Sequence, residues 1–166
     1  MDSLNGAYDL AQLQRAWNTL EPPEQSLPEV AIHAAQRLGA LGGDAQVARE
    51  WLLPAWEARE KLADALKVRL VLALEEGLEG IDGAWLARIE SAQRANPRDA
   101  ALQYLAGMAC KQRQLWGKAQ QLLRQSALGL QDPRLQRNAW RALAELAEQR
   151  DDAPAAAQAW RRAAGE

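Results

Sequence analysis

One cysteine, one histidine and no phenylalanine occur among these 166 residues. A lone Cys110 rules out an intramolecular disulfide, and Cys110 with His33 cannot make a CxxC pair or a His/Cys zinc cluster. Long apolar runs are scarce as well. The strongest window, "LVLALEEGL" at 70 to 78, is interrupted by Glu75 and Glu76 and is far shorter than the roughly 20 residues of a membrane span. The opening "MDSLNGAYDL" has neither the basic nor the apolar region of a signal peptide. Neither charge sign dominates: 20 basic residues stand against 22 acidic ones, interspersed and without a basic stripe, so nucleic acid is not an expected partner.

What is abundant is alanine and leucine, within an apolar share of 48%, and that skew favours helix over sheet. The length suits a single domain over 1–166. Leu10, Leu13, Trp17 and Leu20 fall on one face of a helix over 8–20, which "EPPEQS" ends. Ser26 stands three before Glu29, with Pro28 between, as a capping box opening the next helix. "NPRDAAL" at 96–102 and "DPRLQRN" at 132–138 each place an N-cap residue before Pro and an apolar-periodic run after it. Slid on itself by 37 residues, the chain aligns Gly107 with Ala144, Arg113 with Arg150, Ala119 with Ala156 and Leu123 with Trp160.

These points resemble the tetratricopeptide repeat, a helix pair of 34 residues with small or bulky residues at set positions. Counted from Arg137, its points fall on Trp140, Leu143, Ala144, Ala147, Ala156, Trp160 and Ala163. Counted from Ala100, they fall on Gln103, Ala106, Gly107, Cys110, Ala119, Leu123 and Ser126, with Gln103 the poor match. A degenerate unit starts at Leu66, and a further one at Glu29 places Ile32, Ala35, Gln36, Gly39, Ala48, Leu52 and Ala55. The resemblance implies an all-α, tetratricopeptide-like α-solenoid of antiparallel helix pairs, seven or eight helices, with approximate repeats 29–65, 66–99, 100–136 and 137–166. Small residues let paired helices approach, while bulky ones fill the space between pairs. In such repeats a binding groove is lined by the first helix of each pair. That selects Val30, His33 and Arg37; Lys67, Leu70 and Leu74; Tyr104, Met108 and Lys111; and Asn138, Arg141, Glu145 and Glu148.

Each chemically suggestive residue has a plainer reading. Trp116-Gly117-Lys118-Ala119 has no GxxxxGK and no following Ser or Thr, so it reads as the turn and start of a second helix rather than a phosphate loop. Cys110 occupies a helix-packing position as a small hydrophobe. His33 reads as a polar groove residue ahead of a metal ligand, and no cofactor is expected. Trp17, Trp51, Trp85, Trp140 and Trp160 sit at helical spacing as core, whereas Trp56 and Trp116 are expected to be partly exposed. Glu75 and Glu76 are helix neighbours about 100° apart and cannot flank a scissile bond. Asp151 and Asp152 read as caps, and no nucleophile-base arrangement is visible, so no enzyme is expected.

The segments "LWGKAQQLLRQSA", "WLLPAWEAREKLADALKVRLVLAL" and "NPRDAALQYLAGMACKQRQ" are similar, in order and spacing, to the HemY family of proteobacteria. The likeness covers roughly 10–164 and is strongest over 96–130. It implies the carboxy-terminal part of a repeat protein anchored in the inner membrane, facing the cytoplasm, and a non-enzymatic scaffold holding late haem-pathway enzymes. A general peptide-binding adaptor without a haem link, or a direct haem or porphyrin carrier, are the alternatives. Self-association through the chain's ends is a further expectation, because "AWRRAAGE" offers no polar capping helix.

Overall fold

A computed structural model describes residues 2–165. Among the described residues there is no strand: the fold is all-α, with eleven α-helices and one 3-10 turn at Arg59–Lys61. The count exceeds seven or eight: α2 (Leu10–Thr19) and the eight longer helices that follow already make nine, and two single-turn helices, α1 (Asp2–Asn5) and α3 (Pro22–Gln25), flank α2. No helix of the described residues is long and apolar enough to cross a membrane.

Aspartate opens the helices. Asp9, Asp44, Asp82, Asp99, Asp132 and Asp152 each accept hydrogen bonds from first-turn amides, taking up donors that have no partner inside the helix. Two expected caps differ. The capping box joins Glu21 and Glu24 on α3, while Ser26 bonds back to the Pro22 carbonyl at 3.1 Å. "EPPEQS" is therefore itself a helical turn, since prolines at the first helical positions lose no internal bond. In "NPRD" the cap is Asp99, and Asn96 instead ends the preceding helix.

The chain divides into two compact units, Met1–Gly80 and Ile81–Glu166, with the division inside the segment 66–99. In the first, α4 (Pro28–Ala40) and α5 (Ala45–Glu57) form a hairpin against which α6 (Asp64–Glu76) packs. Leu13, Ile32 and Leu52 are fully enclosed there, and the rings of Trp17 and Trp51 stack with centroids 4.4 Å apart, fixing α2 to α5. Arg49 is buried too. Its Nη1 donates to the carbonyls of Gly77 (2.5 Å) and Glu79 (2.9 Å) and its Nη2 to Gly80 (3.3 Å), so a cation holds the C-cap of α6 and the turn that follows it.

In the second unit, α7 (Gly83–Ala95) packs on α8 (Ala100–Gln112), and two hairpins follow: α8 with α9 (Trp116–Gly129), and α10 (Pro133–Gln149) with α11 (Ala153–Ala163). Helix α9 starts at Trp116, so Trp116 and Gly117 belong to its first turn. A Cβ on Gly107 would lie 2.8 Å from Leu123 Cγ, which is why the approach of α8 to α9 needs a residue without a side chain. Gln103, the poor repeat match, is buried with its amide donating to the Pro97 carbonyl at 2.7 Å. It does the work of packing by satisfying a loop carbonyl.

The hairpin turns recur atom for atom. Leu115 N bonds Cys110 O at 2.9 Å around Gln114 (φ 63°), and 37 residues later Asp152 N bonds Ala147 O at 2.9 Å around Asp151 (φ 59°). Both are Schellman turns with a left-handed residue past the helix end. The α4–α5 hairpin repeats the motif: Gly43 N bonds Leu38 O at 2.9 Å around Gly42 (φ 77°). That correspondence places Ala35, not Gln36, opposite Gly107 and Ala144, shifting the first hairpin's expected register by one. The buried Ala35 fits the small-residue requirement that the half-buried Gln36 would not.

Candidate interaction surfaces

The first-helix face keeps only part of its expected membership. Leu70, Leu74 and Tyr104 are wholly inside, Tyr104 at 0% exposure, so they are core residues and cannot line a groove. The reason is chemical: a large apolar side chain gains more from being removed from water than from lining an open surface. Val30, His33, Arg37, Lys67, Met108, Lys111 and Asn138 are half-buried, and Arg141, Glu145 and Glu148 are exposed. On the second unit Lys111 Nζ and Glu145 Oε2 pair at 2.6 Å, joining α8 to α10 on one face. Glu148 accepts a hydrogen bond from the Trp160 indole. Two of the acidic groups expected to meet a ligand are thus engaged within the fold.

The tryptophans also redistribute. Trp17, Trp51 and Trp85 are buried as expected, and Trp140 is half-buried. Trp56 is buried at 4% exposure under the guanidinium of Arg59, 4.3 Å from its ring centroid, whereas Trp160 stands 39% exposed. Both reverse the sequence expectation, since helical spacing assigns a face without saying how much of a bulky ring its neighbour covers. Trp116, also 39% exposed, agrees with it.

His33 stands on α4 with Nε2 buried and without a hydrogen-bond partner, as is Arg37 Nε, while Arg37 Nη2 donates to the Ala7 carbonyl at 2.6 Å. Burial first, and then the charges of Arg69 and Arg37, hold the imidazole below its usual pKa and keep it neutral. Cys110 is fully buried, and burial, with Glu90 adding and Lys118 partly offsetting, raises its thiol so that no thiolate forms near neutral pH. Among the described residues no three His, Cys, Asp or Glu stand together as metal ligands. Lys118 of the Gly-Lys step pairs with Glu90 at 2.6 Å, and that hydrogen bond raises its pKa.

A surface that sequence periodicity did not single out lies between α9 and the α10–α11 hairpin. Trp116, Gln120, Arg124 and Leu128 form one ridge of α9 at intervals of four, roughly 18 Å long at ~1.5 Å per residue. Opposite stand Trp140, Leu143 and Ala147 of α10 and its C-cap Arg150, with Ala155, Gln158 and Ala159 of α11. Two hollows, about 270 and 330 Å³, share Gln120 and Arg150 and so run into one groove. Leu128, 88% exposed, marks one end and Trp116 the other. The i,i+4 ridge was readable in the sequence, but its partner wall, which begins 12 residues beyond Leu128, was not.

Comparison with family models, curated proteins and solved structures finds no match for this chain.

Proposed function

We propose that the chain is a non-enzymatic helical-repeat scaffold that holds protein or peptide partners. The observation that carries this reading is the pair of hairpins α8–α9 and α10–α11, related by 37 residues and closed by the same turn, with their first helices bridged by Lys111–Glu145. Repetition of a hairpin builds an extended surface rather than an enclosed reaction site. On this reading Met108, Lys111, Asn138, Arg141 and Glu145 form the first-helix contact face. The similarity of "LWGKAQQLLRQSA" and its flanking segments to the HemY family supports a tetratricopeptide-type scaffold, borne in an inner-membrane parent on the cytoplasmic face and serving late haem biosynthesis.

Immobilised chain, incubated with detergent-solubilised membranes, is expected to enrich late haem-pathway enzymes. A double variant, Arg141→Glu with Glu145→Lys, is expected to lose them. Both residues are exposed, unlike Tyr104, so their replacement leaves the core intact. Equal enrichment by both baits removes the first-helix face as the contact, and no enrichment by either removes the haem link.

A further inference from the structure

We propose that the groove between α9 and the α10–α11 hairpin is a second docking site, on a different face, for an acidic peptide segment bearing bulky apolar side chains. The inference rests on the reading of the chain as a binding module and names the chemistry of one partner.

Charge complementarity carries the choice. Neither hollow has an aspartate or glutamate in its lining, which instead contains Arg124 and Arg150. No ion pair among the described residues engages Arg124, and Arg150 has only a long contact, 3.5 Å, to Asp152. The bias extends through the unit: residues 81–166 hold 13 basic against 9 acidic side chains, net +4, whereas residues 1–80 hold 7 against 13, net −6. Charges interspersed locally are thus unequal between the halves. A carboxylate brought between Arg124 and Arg150 gains charge-assisted hydrogen bonds without meeting a like charge in the lining.

The apolar part fixes the rest. Leu128 and Trp116 leave large apolar area in water at the two ends, and Trp140 with Leu143 floors the middle. Aromatic and arginine side chains of this kind are the usual anchors of tight contacts. The occupant therefore has acidic residues at its centre flanked by bulky apolar ones reaching roughly 18 Å apart. A second copy of this chain is the competing occupant. Its most acidic apolar run, around Glu75, Glu76 and Glu79, has Leu74 and Leu78 already buried and cannot donate them.

The test is selection of a displayed library of random twelve-residue peptides on the full chain, followed by titration of a selected peptide by fluorescence anisotropy. Enriched sequences are expected to combine Asp or Glu with Leu, Trp or Phe. Binding is expected to weaken at least tenfold in Arg124→Glu and in Leu128→Glu, both at exposed positions, with unchanged circular dichroism and melting, and to weaken with added salt. Neutral or basic sequences, or full binding by both variants, overturn the proposal. So does a dimer in sedimentation that Leu128→Glu dissolves, which assigns the groove to a second copy. Peptides that ignore these variants but are lost in Arg141→Glu leave the module reading standing without this site; a library that yields no binder removes both.

Discussion

Two basic side chains show how burial sets behaviour in the first unit. His33 has its folded pKa below the ordinary value of 6.5, through burial and the neighbouring Arg69 and Arg37. The native state therefore binds fewer protons than the unfolded chain in the window below about pH 6.5, and stability present above that value is lost as the pH falls. Glu76, raised by burial, works with the opposite sign as the pH climbs above its ordinary value. Urea midpoints at pH 7.5 and 5.5 are expected to differ less in His33→Gln than in the wild type, and equal differences would assign the slope to another group. Arg49 is the opposite case, a buried cation held by three carbonyls of the C-cap and turn that follow α6. Arg49→Met keeps the stem but strands those acceptors, and a loss of about 3 kcal/mol in urea unfolding is expected. A loss under 1 kcal/mol would mean that water replaces the guanidinium without cost.

The helices themselves were legible because apolar spacing of three and four survives in α2, α4, α8 and α10 whatever their neighbours do. The hairpin turns were legible only in part. Gly42 announces a left-handed residue, but Gln114 and Asp151 take the same conformation without the glycine that would have signalled it. Asp is tolerated there better than Gln. Gln114→Gly, at an exposed position with φ already at 63°, is therefore expected to stabilise the chain by about 1 kcal/mol. The urea midpoint should rise, and an unchanged or lower midpoint would show that the turn carries no strain. The groove was not legible for a different reason. Its α9 ridge obeys local spacing, but whether Leu128 and Trp116 stay wet depends on how far α10 and α11 cover them, a matter of packing between hairpins. The same dependence hid the burial of Trp56 and the exposure of Trp160.

Across the whole chain, a net charge of −2 conceals a −6 and a +4 unit. Adsorption to a charged surface follows the local field within a Debye length, about 10 Å at 0.1 M salt, rather than the sum over the molecule. A protein with a sequence pI near 5.6 would ordinarily pass through a sulfonate cation exchanger at pH 7. This one is expected to be retained at low ionic strength, through residues 81–166, and also to bind an anion exchanger through residues 1–80. Arg124→Glu combined with Arg150→Glu brings the second unit from +4 to neutral without touching a buried side chain. That double variant is expected to flow through the cation exchanger while keeping its hold on the anion exchanger. If wild type is not retained on the sulfonate resin, the basic residues of the second unit do not act as a patch, and the preference for an acidic partner loses its electrostatic ground.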